Sequence, residues 1–330
     1  MAGRSQNGDT PRPVQFDIVL TEGFVLTEFA AVADALRITN RVGAVPVFGW
    51  ICRSAKGGPV ASPAGAVVET EPFSATARPD YVFVIGNRDP MAPELSMGQP
   101  LRRYIRGGAK VFLLAEAASR YLKEKGGEAQ GLATHWENSV ILRERMELFG
   151  AGTQLASEDG AVVTCAGMGT TLDVVLSVIR EHVPSATLTT VANIFLHERI
   201  RDFSTRQPMG GTTGVSTGDA DLDRAVQIMQ AHIEEPVAIG DLVDELGVSA
   251  RTLERKFRTY LDATPKTYYR RLRLAQANNL LLNTSMSIHE IGLATGFSSG
   301  FSALYKEFFG LTPREMREQR RGTAWKRERR

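Results

Sequence analysis

Cysteine is scarce, with two in 330 residues, Cys52 and Cys165. Two thiols make neither a disulfide framework nor a zinc cluster, and they fit a reducing cytoplasm. No apolar run approaches the ~18 residues of a membrane-spanning helix. The opening stretch, MAGRSQNGDTPRP, has no hydrophobic signal core and reads as a disordered tail over residues 1–12. A large net charge is missing too, since 39 Lys and Arg stand against 37 Asp and Glu. No cofactor or metal is expected. An apolar fraction of 43% is ample for globular cores, and 330 residues suggest two domains.

The charge is unevenly placed. Residues 221–330 hold 18 basic and 14 acidic residues, leaving 21 basic and 23 acidic for the rest. Between Ser249 and Arg273 there are 8 basic residues and 2 acidic ones. Such a stripe is either a solvated helix face or the footprint of phosphate contacts.

Two tandem patterns favour phosphate contacts. IGDLVDELGVSARTLERKFRTY runs from Ile239 to Tyr260, and IHEIGLATGFSSGFSALYKEFF from Ile288 to Phe309. Each has an apolar-spaced helix, a glycine turn (Gly247, Gly296) and a second helix carrying basic residues. That is the layout of a helix-turn-helix laid in the major groove. Gly247 supplies the positive φ of the turn, and Ser249 is the expected N-cap of the helix that follows. Leu253 and Phe257 face the core, leaving Arg251, Glu254, Arg255 and Arg258 on other faces. Arg251 and Arg255 share one face at i, i+4. An arginine fork there pairs with guanine, and Glu254 accepts from cytosine; the alternative is that the arginines touch only phosphates. Thr267–Asn283 reads as a long helix that would fix the relative orientation of the two reading heads, with Tyr268, Leu272, Ala275 and Leu280 packing inward. Ser287 with Glu290 spells a capping box. Ile288, Ile291 and Ala294 are core candidates, and Phe297 is a core plug.

From about Leu222 to Arg317 the chain resembles the DNA-binding domain of AraC/XylS-type transcription regulators. The resemblance rests on GVSARTLERKF, TPKTYYRRLRLAQANNLLLNTSMSIHEIGLATGF and FSALYKEFFGLTPREMR. It implies two reading heads about one helical turn apart, roughly 34 Å of DNA. One departure stands out. Only Ser298, Ser299 and Gly300 separate Gly296-Phe297 from Phe301-Ser302, where similar proteins have two residues more. The second head is therefore expected to hold phosphates through Ser298, Ser299, Ser302 and Lys306 more than to read bases. Double-stranded DNA is the expected partner, with RNA polymerase beside it.

The first half alternates short apolar strands with helices, which predicts a mostly parallel α/β sheet. Strands are expected at Val14–Leu20, Val45–Cys52, Tyr81–Ile85, Lys110–Leu114 and Val162–Cys165. Helices are expected at Leu26–Arg41, Leu101–Arg106, Thr170–His182 and Ser185–Arg201. The Gly-, Ser- and Thr-rich stretch Phe203–Asp219 reads as the linker. The expected limits are 13–203 for the α/β domain, 204–220 for the linker, 221–318 for the helical domain and 319–330 for a basic tail.

Residues from about Gln15 to Arg201 resemble the class I glutamine-amidotransferase-like, or PfpI-like, domain. The resemblance rests on FDIVLTEGFVLTEFAAVADALRITN, KVFLL, ATHWEN, DGAVVTCAGMGTTLDVVLSVI and HERIRDF. It implies a flavodoxin-like parallel-sheet sandwich, and its pairing with an AraC-type domain resembles regulators that sense arginine, carnitine or glycine betaine. Enzymes of that fold place a cysteine on a strained turn after the third strand, where helix amides activate the thiolate. Here that position falls on Ala115, and Gly86 is followed by Asn87 where a glycine pair is expected. Cys165 reads as a small core residue. The resemblance therefore implies a pocket without its nucleophile, and no catalytic residue is assigned.

Such a pocket can still bind a ligand at the strand carboxyl ends. Its candidates are Glu22, Asn87, Ala115, Glu116, His135, Trp136, Gly167 and Met168. Glu116 can pair a ligand cation and Trp136 can add a cation–π face; the plain alternatives are a capping Glu116, a backbone-bonded His135 and a core Trp136. The expected function is ligand-controlled transcription regulation of the activating kind, in a homodimer, with a small-molecule effector such as an amino acid or quaternary amine. An active amidase fused to a DNA-binding domain and a ligand-independent DNA-binding protein are the alternatives.

Overall fold

The computed structural model describes residues 12–43, 45–139, 142, 151–207, 217–284 and 286–318. The chain divides into two compact units, Met1–Gln207 and Pro208–Arg330. Residues 1–11 of the expected first tail and the whole basic tail lie outside the described residues.

The first unit is built on one eight-stranded sheet. Its strands are β1 (Val14–Val19), β2 (Phe48–Ser54), β3 (Gly58–Ala61), β4 (Val67–Pro72), β5 (Tyr81–Val84), β6 (Lys110–Leu114), β7 (Ala156–Asp159) and β8 (Val162–Cys165). They lie in the order β3-β4-β2-β1-β5-β6-β8-β7. The interior pairs are parallel, and antiparallel hairpins close both edges. The helices are α1 (Leu26–Val42), α2 (Gly98–Arg106), α3 (Ala115–Lys125), α4 (Thr171–Ile179) and α5 (Ser185–Ile194).

Side chains along a strand point alternately to its two faces, and β1 shows the consequence. Phe16, Ile18 and Leu20 join one core with Val32, Leu36, Val174 and Val191, under α1, α4 and α5. Val19 joins a second core with Val84, Tyr104, Val111 and Ala118, under α2 and α3. The central strands are apolar on both faces because helices cover both. The Phe83 and Phe112 rings stack at 4.7 Å and 6° inside the first core.

Several expectations are corrected. The second strand is Phe48–Ser54, three residues later than expected at its start, because the Asn40 carboxamide holds the entry through Val47 N, Phe48 N and Phe48 O. Residues expected as helix over Thr170–His182 are helical over Thr171–Ile179. The helix expected over Ser185–Arg201 stops at Ile194: Leu196 takes φ 54, and Asp173 accepts from the Arg201 backbone at 2.7 Å and its side chain at 2.6 Å. That ion pair pulls the chain out of the helical path. Phe203–Gln207, expected as the start of the linker, belongs to the first unit. There the buried Gln207 side chain donates to Thr134 O at 2.7 Å and accepts from Trp136 N at 2.9 Å.

The second unit is helical: α6 (Ala220–Ala231), α7 (Ile239–Leu246), α8 (Ala250–Leu261), α9 (Pro265–Asn283), α10 (Ile288–Ala294) and α11 (Phe301–Phe309). Its first module buries Leu222, Met229, Leu242, Leu253, Phe257 and Leu272 in one cluster. In its second module Ile291, Phe297, Phe301 and Tyr305 are buried. Of the inward-facing candidates, Leu272, Leu280 and Ile291 are buried, whereas Tyr268, Ala275, Ile288 and Ala294 are half-buried.

Candidate nucleic-acid interface and ligand pocket

A side-chain cap starts the second helix of the first helix-turn-helix and the first helix of the second. Ser249 Oγ accepts from Thr252 N at 3.1 Å, starting α8 after the Gly247 turn. Leu253 and Phe257 anchor α8 in the core, so Arg251, Glu254, Arg255 and Arg258 all stand exposed on it. Arg258 and Glu254 form an ion pair at 2.8 Å, so that carboxylate already has a cationic neighbour. Sequence reasoning missed Lys256, which is half-buried and bridges Asp219 at 2.7 Å and Asp221 at 2.6 Å, tying α8 to the start of α6. Asp219 also caps α6 by accepting from Leu222 N.

In the second module Ser287 and Glu290 form the capping box of α10. Ser298, Ser299, Ser302 and Lys306 are exposed, the serines clustered where α11 begins. Gly300 precedes that helix at φ 69. With 9 residues, α11 is shorter than α8, which has 12. His289, exposed on α10, faces the same groove as the serines and carried no signal in the sequence.

In the first unit, Ala115 leaves β6 at φ 40, a left-handed backbone that non-glycine residues rarely adopt. Gly167 and Met168 follow β8 at φ 75 and φ 50. A Cβ on Gly167 would lie 2.6 Å from the Ala115 methyl and 2.2 Å from Glu28 Oε1. The two strained turns therefore meet, with Glu28 between them.

Glu28 is fully buried and was not among the expected site residues. Its Oε2 accepts from Gly86 N and its Oε1 from Met168 N, each at 2.8 Å. Burial, then the nearby Glu116 charge, raises its pKa to about 8. Burial likewise raises Glu116 to about 7, opposed by the bond that its Oε1 accepts from Asn138 at 3.1 Å. Glu116 Oε2 is buried with no hydrogen-bond partner among the described residues. A Cβ on Gly86 would stand 2.4 Å from that atom and 3.1 Å from Glu28 Oε2, so the two carboxyl groups are neighbours.

The remaining candidates sort by their contacts. Asn87, buried after Gly86, accepts from Asp89 N at 2.8 Å. Thr134 donates to Ala115 O at 3.0 Å, placing the 134–138 segment against the start of α3. His135 and Trp136, half-buried there, have ring centroids 5.5 Å apart, and burial lowers the His135 pKa. Glu22 is exposed and accepts from Ala61 N at 3.3 Å, at the β3 edge. Cys165 is fully buried in β8, where burial pushes its thiol far above the ordinary range. The structure thus gathers Ala115, Glu116, Gly167 and Met168 around Glu28 and Gly86, while Glu22 is held at the sheet edge. A carboxylate in the first turn of a helix reads as an ordinary helix-start residue, so Glu28 carries no signature of its buried role in the sequence.

An α/β unit followed by paired helix-turn-helix modules with exposed arginines defines a DNA-binding transcription regulator. A model of the helix-turn-helix domain family matches residues 242–319. The HTH-type transcriptional regulator ArgR of Pseudomonas aeruginosa is 35% identical over 245 residues, covering 73% of this chain and 74% of that protein. The HTH-type transcriptional regulator CdhR of the same species is 30% identical over 308 residues, covering 92% of this chain and 91% of that one. A crystal structure of an AraC family transcriptional regulator from Pseudomonas putida is 23% identical, with a TM-score of 0.46, over 56% of this chain and 100% of that one. The chain belongs to the AraC family of HTH-type transcriptional regulators.

Proposed function

We propose that the first unit is a non-catalytic sensor of a small amine-bearing metabolite, an amino acid or quaternary amine, and that the second unit activates transcription at a promoter in response. One observation carries the sensor reading. The elbow that would hold a nucleophile is kept at φ 40, yet its side chain is a methyl group. The adjoining Gly86 and Met168 amides are both occupied by Glu28. Chemistry is thereby removed, and a shaped polar site is left. Glu116 supports the amine class, because its Oε2, without a hydrogen-bond partner among the described residues, can accept from an amino acid's ammonium, with Trp136 offering an aromatic face to a quaternary one.

The exposed Arg251 and Arg255 read bases from α8, with Arg258 and Glu254 beside them, while Ser298, Ser299, Ser302 and Lys306 hold phosphates. Sensing reaches DNA through the ligand's differential affinity for two states of the chain. RNA polymerase and a second copy of the chain complete the assembly. Calorimetry against amino acids and quaternary amines, paired with mobility shifts on the upstream region of the gene, tests this. Binding of an amine that changes DNA affinity or transcription supports it. No binding across the panel removes the sensor, and binding that changes neither readout removes the switch.

A further inference from the structure

Arg273 lies on α9, between the two helix-turn-helix modules, and is half-buried. Its Nε donates to Thr295 O at 2.8 Å and its Nη2 to Gly296 O. Its guanidinium carbon stands 4.1 Å from the Phe297 ring centroid. The two carbonyls follow α10, where backbone acceptors have run out of intrahelical donors and where the helix dipole favours a cation.

The turn that Arg273 grips is confined on its other side as well. Gly296 takes φ 70, and a Cβ there would meet Pro236 Cγ at 2.6 Å and Glu234 O at 2.9 Å. Residues 234–236 lead into α7 of the first module. The turn of the second module is thus held between the linking helix and the entry to the first.

From that turn the contacts run into the second reading helix. Phe297 stacks on Phe301, the first residue of α11, at 5.7 Å and 29°. Phe301 meets Tyr305 edge-on at 5.7 Å, and Tyr305 Oη donates back to Asn278 of α9 at 2.5 Å. At its other end α9 is fixed to the first module, where Tyr269 Oη donates to His232 O at 2.5 Å and Tyr268 packs edge-on against Phe257 at 5.4 Å.

We propose that Arg273 is a positioning residue for DNA recognition. Without contacting DNA, it sets the angle of the second reading helix relative to the first, and so the spacing of the two base-pair segments the protein accepts. A planar fork that donates to two carbonyls while its face lies on a ring is a role for arginine and not lysine. The proposal rests on both modules engaging one duplex.

The test uses the full chain and the tightest duplex it selects from a random pool, footprinted to locate the two contacted segments. Derivatives carry one base pair added or removed between those segments. Wild type is expected to lose affinity about tenfold or more on either change, because the second contact is then no longer effectively intramolecular. Arg273→Gln and Arg273→Lys are expected to bind the parent duplex about tenfold more weakly, with little further loss on the shifted duplexes. Their salt dependence stays as in wild type. Variants that keep the wild-type preference for the parent spacing overturn the proposal. So does an equal loss on every duplex with a salt slope smaller by about 1, the mark of a phosphate contact. A wild-type footprint of one segment, indifferent to spacing, overturns the two-module reading along with it. Should Arg273→Gln lose its helical circular dichroism, Phe297→Leu removes the ring beneath the guanidinium and must flatten the same preference.

Discussion

Glu28 accepts the Gly86 N–H at 2.8 Å from inside the sheet's main core layer. That amide follows β5, where an amidotransferase-like enzyme would direct a free donor at a developing oxyanion. A donor already satisfied by a buried carboxyl group gives little to a transition state. Ala115, at φ 40 after β6, carries a methyl group beside that occupied amide.

Restoring the sulfur alone is therefore insufficient. The Ala115→Cys variant is expected to hydrolyse simple amides no faster than wild type, because the Gly86 donor stays engaged. Turnover assays on both proteins check this, and substantial turnover by the variant would show the oxyanion site to be intact.

The buried carboxyl groups predict a pH dependence. Glu28 is raised to about 8 and Glu116 to about 7, both from 4.5. A raised carboxyl pKa means that the fold holds a proton which the unfolded chain releases. Its stabilising contribution is full below about pH 4.5 and is lost as pH rises through 7 and 8. The first unit should melt at progressively lower temperature across that window. Glu28→Gln should flatten the trend while weakening the fold at low pH, since one amide oxygen replaces two acceptors. Calorimetric scans measure both effects; a wild-type melting temperature level across the window contradicts the buried-acid account.

Gly167→Ala should destabilise the first unit by about 2 kcal/mol or more, combining a disfavoured φ with overpacking. Its new methyl would fall 2.2 Å from Glu28 Oε1. Ala115→Gly should be neutral or stabilising by up to about 1 kcal/mol, because glycine accepts positive φ without steric cost. Denaturant unfolding gives both values, and a large loss from Ala115→Gly would mean that the methyl's packing outweighs the backbone strain.

On the first reading helix, Arg255→Ala should cost about 1–3 kcal/mol of binding and relax specificity at one base position. Competitive binding against single-position operator variants decides it. A uniform loss with a shallower salt slope assigns Arg255 to phosphate instead.

Ser249→Ala should cost about 1 kcal/mol in stability of the helical unit through the lost cap. Arg251 is presented two residues beyond that cap, so DNA affinity should fall as well. Urea unfolding and mobility shifts measure the two effects side by side, and a variant unchanged in both would show that the cap is dispensable.

The helical unit was largely legible in the sequence. Its caps at Ser249 and Ser287, its turn at Gly247 and its core positions Leu253, Phe257 and Ile291 are set by local periodicity and local hydrogen bonds, which a linear pattern records. The central strands of the α/β unit were legible for the same reason, as short runs apolar on both faces. The edge hairpin β3–β4 was not, because Gly58–Ala61 and Val67–Pro72 carry mixed polarity and acquire their structure by pairing.

The residues alone determined that this chain carries two helix-turn-helix modules and an elbow without a thiol. Only the tertiary structure decided that Glu28 closes Gly86, that Arg201 ends a helix by reaching Asp173, and that Arg273 ties the linking helix to the turn of the second module. Those contacts join residues 58, 28 and 22–23 positions apart. A carboxylate in an apolar helix, or one arginine among many, has no local signature of its partner; its role exists once folding removes it from water and supplies the group that must satisfy it.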